Sequence, residues 1–130
     1  MRRYFSLGAL FSVLLIAGCQ LNTADNRLRM LIGIPANKTL DEAAVSERFR
    51  EILPIGTPEP LLAQKVKSLG IGQDNLSSYS LIRDPNAAVV RIEYDVRTLG
   101  LVKESWVILL HLDASQKLTS IEARRDLTGL

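Results

Sequence analysis

The chain has one cysteine, one histidine and one tryptophan: Cys19, His111 and Trp106. A single cysteine allows no intrachain disulfide, so stability must come from an apolar core. Zinc sites built on cysteine are excluded, and one histidine is a poor basis for a transition-metal site. Charge of one sign is also lacking. Lys and Arg number 16 against 14 Asp and Glu, and Arg2 and Arg3 account for the whole difference. A nucleic-acid partner wants a basic face, which this balance does not supply. There is no Gly-x-Ser-x-Gly elbow and no calcium-loop spacing. Gly70-Ile71-Gly72 follows a predicted helix instead of opening one, so it reads as a helix exit and not a phosphate cradle. No cofactor and no metal is expected.

What is present begins at the N-terminus. Arg2 and Arg3 precede a charge-free run from Tyr4 to Gly18. At about fifteen residues the run is short of the roughly 20 that cross a bilayer. Its length suits the apolar core of a signal peptide. The run ends in Leu15-Ile16-Ala17-Gly18-Cys19, with an aliphatic residue three positions before the cysteine and two small residues between.

This ending resembles the lipobox of bacterial lipoproteins. The resemblance implies a diacylglyceryl group on the Cys19 thiol, cleavage before Cys19 and acylation of the new amine. Each buried CH₂ contributes about 0.8 kcal/mol, and one acyl chain anchors only marginally, so two or three make the anchor effectively permanent. In that family an aspartate after the cysteine tends to retain the protein in the inner membrane. Gln20 stands there instead, which implies the outer membrane, on its periplasmic face, in a host that has one. Residues 1–18 are therefore expected to be a signal peptide, residues 19–38 a lipidated tether with an apolar arm, and residues 39–130 one α+β domain.

Gln20 to Arg27 is polar, with Asn22, Thr23, Asp25 and Asn26 weak in helix and strand alike. Leu28, Met30, Leu31, Ile32 and Ile34 form an apolar cluster broken by Gly33 and Pro35. The reading is an extended arm packed on the domain, because large exposed apolar patches are uncommon. A first helix is predicted from Thr39-Leu40-Asp41-Glu42, with Thr39 and Glu42 as a capping box. Val45, Phe49, Ile52 and Leu53 give it one apolar stripe, and Pro54 ends it. Gly56 allows a turn, and a second helix is predicted with Thr57 as N-cap and Pro58 at its first position. Its stripe is Leu62, Val66 and Leu69, closed by Gly70.

From Ser77 the period changes to two. Strands are expected at Ser78 to Arg83, across Val90, Ile92, Tyr94 and Val96, from Val102 to Leu112, and from Leu118 to Arg125. The turns between them are short, which means an antiparallel meander. The predicted class is α+β, a two-helix hairpin on one face of a four-stranded sheet. This order, with Pro54-Ile55-Gly56-Thr57-Pro58 opening a helix that closes at Leu69-Gly70, resembles the small two-helix, antiparallel-sheet modules of bacterial envelope lipoproteins and of secreted β-lactamase-inhibitor domains. The resemblance implies a non-enzymatic module. The Gly-x-Pro step expected after Gly70 in the lipoprotein of the barrel-assembly machinery is missing here.

Catalytic candidates are few. Ser105, His111 and Asp113 can be written as a triad, but they crowd one predicted hairpin, whereas triads are assembled from separated segments. Asp41 and Glu42 are explained by capping, and Glu93 and Asp95 alternate with Arg91 and Arg97 as cross-strand pairs do. Trp106 is expected in the core with Ile108 and Leu110. Val107 and Leu109 are apolar on the opposite face of the same strand, where polar residues are expected. The candidate interface is therefore Met30, Ile32, Val107 and Leu109, with the arm lying along that opposite face or as an edge strand. The expected activity is non-catalytic binding by an anchored envelope protein, an accessory or assembly factor with a protein partner in the envelope. An inhibitor of an envelope or secreted enzyme, and a small lipid-anchored hydrolase, are the alternatives.

Overall fold

A computed structural model describes residues 23–129 of the chain. The signal-peptide stretch and Cys19 lie outside the described residues. Three helices precede four strands: α1 (Thr23–Ile32), α2 (Glu42–Ile52), α3 (Glu59–Ser68), β1 (Ser77–Arg83), β2 (Ala88–Leu99), β3 (Val102–Leu112) and β4 (Leu118–Gly129). The strands form one antiparallel sheet in the order β1-β2-β3-β4, so the α+β class and the meander are as expected from the periodicity. Strand β4 runs to Gly129 because it pairs along the whole of β3, with Val102 opposite Gly129.

The main correction is α1. The stretch read as tether and extended arm is a helix whose Leu28 and Ile32 are fully buried. Their spacing of four places both on one face, but Met30 and Leu31 between them blur the stripe in the sequence. Gly33 terminates the helix instead of breaking an arm. It has φ +74, and both its N–H and that of Ile34 donate to the Arg29 carbonyl. The Arg48 side chain on α2 donates to the Ile32 carbonyl, and Arg29 donates to the Pro35 and Lys38 carbonyls. The orphan carbonyl of Ile32 is thus met by Arg48, and Arg29 ties the segment after the helix back to it.

Two caps also differ from expectation. Asp41, not Thr39, caps α2: its carboxylate accepts from the Ala44 N–H at 2.8 Å. Aspartate is as good a cap as threonine, so a neighbouring pair of candidates is resolved by packing. Pro58 is the N-cap of α3, and Thr57 is used otherwise. The Thr57 hydroxyl donates to the Pro54 carbonyl at 2.6 Å, and its own carbonyl accepts from Leu118 N–H at 2.9 Å. Gly56 N–H donates to the Leu118 carbonyl, and Glu59 N–H to that of Gln116. The Gly-Thr-Pro turn therefore docks on the start of β4.

One core joins the layers. Leu28 and Ile32 of α1, Val45 and Phe49 of α2, and Leu62 and Val66 of α3 share it with Val90, Ile92 and Tyr94 of β2 and Trp106, Ile108 and Leu110 of β3. The outer edge of β4 is met by α2: Ser46 Oγ accepts from Ala123 N–H at 3.0 Å, and Arg50 reaches the Ile121 carbonyl at 3.4 Å. Edge strands left bare template unwanted pairing, and α2 blunts this one.

Candidate interaction surface

The inner face of the sheet ends in a charged node near the β2–β3 turn. Trp106 and Arg125 are partners in register on β3 and β4. Antiparallel pairing sets such residues side by side on one face, and the Arg125 guanidinium lies 5.3 Å from the centroid of the indole. Asp25, in the first turn of α1, closes the node. Its Oδ1 accepts from Trp106 Nε1 at 3.3 Å, and its Oδ2 accepts from Arg125 Nη2 at 3.2 Å. Glu104 Oε1 takes the Arg125 Nε–H at 2.5 Å. Burial works against the charge of Arg125, but the hydrogen bond to Glu104 and the negative charge of Asp25 outweigh it and raise its pKa. An acid near a helix N-terminus also faces the positive end of the dipole. The node fixes where the chain enters the domain.

Sequence reasoning missed this node. Asp25 is separated by 81 positions from Trp106 and by 100 from Arg125, and no local pattern couples such residues. The only available signal was an acidic residue ahead of Leu28 and Ile32, as in a helix's first turn.

The outer face is a charged ladder. Lys103 pairs with Asp95 at 2.9 Å and Glu93 at 3.2 Å, and Arg91 pairs with Glu93 at 3.3 Å. The hydrogen bonds to Asp95 and Glu93 raise the pKa of Lys103. Val107 lies in register between Glu93 and Arg124 and is 1% exposed. Long charged side chains cover apolar neighbours with their stems, which accounts for Val107 without an arm from elsewhere. Helix α1 is on the other face, so the expected docking of residues 30–34 over Val107 and Leu109 is corrected.

The four candidate interface residues are accordingly split. Met30 is 82% exposed, Ile32 and Val107 are buried, and Leu109 is half-buried. No common surface joins them. Cys19 is outside the described residues. The written triad is also dispersed among other partners. Ser105 Oγ donates to Asp95 at 3.2 Å, and His111 Nε2 lies 3.6 Å from Glu122. The Asp113 carboxylate accepts from the N–H groups of Ser115 and Lys117 in the β3–β4 loop. Asp74, in the loop before β1, has its pKa lowered by the Ser77 hydroxyl first and by backbone N–H groups. It is a turn-closing residue, as aspartate often is.

Among the described residues no group of three or more His, Cys, Asp or Glu side chains is placed to hold a metal ion. None of their helices is long and apolar enough to cross a membrane. No family model, curated protein or solved structure significantly matches the chain.

Proposed function

We propose that the chain is a lipid-anchored envelope protein that acts by non-catalytic binding, as an accessory or assembly factor at the periplasmic face of the outer membrane. The carrying observation is the stretch Leu15-Ile16-Ala17-Gly18-Cys19 behind Arg2, Arg3 and an uncharged run. The geometry supports a short leash. Helix α1 opens at Thr23, and Asp25 is fastened to Trp106 and Arg125, so the folded unit starts close to the cysteine. Two or three acyl chains on Cys19 hold such a domain at a bilayer permanently, where a protein partner in the same membrane meets it in two dimensions.

The test has two halves. In cells fed labelled palmitate, the native chain takes up label and sediments with membranes, and Cys19→Ala does neither. Label in the Cys19→Ala protein contradicts the anchor. Purification of the anchored protein from detergent-solubilised membranes brings down an envelope protein in fixed proportion. Recovery of the chain alone after cross-linking contradicts the binding role.

A further inference from the structure

The β2–β3 turn has the sequence Gly100-Leu101 between Leu99 and Val102, which pair with each other. Gly100 has φ +59 and Leu101 does not share a positive φ, the pattern of a type II′ hairpin turn with glycine first. That turn needs only the glycine. A polar residue would serve after it, yet Leu101 stands there 78% exposed. Val102 beside it is 38% exposed, and Leu127 on the adjoining strand, opposite Glu104, is 70% exposed. Of the seven large hydrophobic residues exposed among those described, these three share one end of the sheet. The others, Met30, Ile55, Leu61 and Ile82, are distributed over α1, the α2–α3 turn, α3 and β1.

The described chain starts in the half of the sheet nearer this end. Asp25 is held by Trp106 and Arg125, in the half of the sheet nearer this turn. Cys19 precedes Thr23 by four residues, a reach of at most about 14 Å. Two helical steps from Thr23 to Asp25 add about 3 Å. From Trp106 to Val102 along β3 is roughly 13 Å. The reach of a lipid on Cys19, about 17 Å from Asp25, therefore covers the distance from Trp106 to the tip. The opposite end, at the β1–β2 turn, is roughly 40 Å from the tip along the twelve residues of β2.

We infer that Leu101, Val102 and Leu127 form a second contact with the bilayer that carries the lipid anchor, seating the β2–β3 tip among the headgroups and standing the sheet away from the membrane. The inference rests on the proposed lipidation of Cys19. The occupant is a lipid surface because a reach of about 17 Å from Asp25 covers the distance from Trp106 to the tip and falls short of the roughly 20 Å from Trp106 to Leu112 at the other end of β3. The patch is three side chains at a hairpin tip, too few for a protein interface of ordinary size. Its consequence is orientation: the β1–β2 turn and β3–β4 loop face away from the membrane, toward any partner.

Lipidation consumes the only thiol of the chain, so an introduced cysteine can be labelled alone. Leu101→Cys, Leu127→Cys and, as a control at the far end, Asn86→Cys are purified from membranes with their lipid. Each is labelled with an environment-sensitive fluorophore and reconstituted in vesicles of phosphatidylethanolamine and phosphatidylglycerol. Flotation with the vesicles reports the anchor. Quenching by headgroup-proximal nitroxide lipids reports the seating. The expected result is flotation of all three, with severalfold stronger quenching and a blue shift at 101 and 127 relative to 86. Flotation with equal quenching at all three positions overturns the seating and leaves the anchor standing. A blue shift at 101 without lipid quenching places a second copy on the tip and also overturns it. Failure of the native chain to float removes the anchor and the inference together.

Discussion

Trp106 donates its indole N–H to the carboxylate of Asp25 across 81 positions of sequence, at 3.3 Å. Trp106 is 1% exposed, so its N–H has little access to water and needs that acceptor. The same carboxylate takes a hydrogen bond from Arg125. Asp25→Ala strands the indole N–H and removes one of two acidic partners of Arg125. The expected loss is about 1–3 kcal/mol, the cost of a buried donor left unmet. Urea denaturation measures it, and amide exchange locates it, with α1 losing protection before the sheet. Unchanged stability with unchanged exchange in α1 would show that the node is incidental.

Ser46 and Ala123 provide a second test, at the edge of β4. The Ser46 hydroxyl is the acceptor for the Ala123 N–H in a buried setting. Ser46→Ala keeps the helix propensity and removes the acceptor. A loss of about 1–3 kcal/mol is expected, with a raised tendency to aggregate as the edge opens. A loss below about 0.5 kcal/mol, the usual range of surface changes, would mean that the N–H finds another partner.

The strands were legible because alternation reports a half-buried sheet directly, and Val90, Ile92 and Tyr94 against Arg91, Glu93 and Asp95 leave little choice of face. Helices α2 and α3 were legible from their stripes and from Pro54 and Gly70, although each cap was misplaced by a residue or two where several good capping residues lie together. Helix α1 was not. Thr23, Asp25 and Asn26 favour caps and turns locally, and only packing of Leu28 and Ile32 into the core makes the segment helical. The inner node was hidden for the same reason, since its members meet only after the sheet and α1 have docked. Val107 was misread because alternation cannot show that neighbouring charged stems cover an apolar residue.

The tyrosines give a pH prediction. Beyond Tyr4 the chain has only Tyr79 and Tyr94. Burial raises both pKa values, helped at Tyr79 by the charge and hydrogen bond of Glu59 and at Tyr94 by the charge of Asp74. A raised folded pKa favours the protonated form, so this contribution to stability is complete below the unfolded value near 10 and is lost as pH rises above it. Tyrosinate absorbance of the domain should therefore appear only with unfolding, not as a separate step near pH 10. Titration of one tyrosine at its ordinary pH in the folded protein would contradict its burial. The Tyr94 hydroxyl also lacks a hydrogen-bond partner among the described residues. Tyr94→Phe should thus be neutral or stabilising by about 1–2 kcal/mol. A marked loss would reveal a partner for that oxygen.

We propose that Cys19 carries lipid and is the first residue of the mature protein. The intact mass of the protein extracted from membranes of the cells that make it tests this most directly. The expected polypeptide starts at Cys19 and is heavier than the bare chain by a diacylglyceryl group and, with the amine acylated, by one further acyl chain, all of the added mass located on residue 19 after fragmentation. A chain that retains Met1, or one cut elsewhere with an unmodified Cys19 thiol, would contradict it.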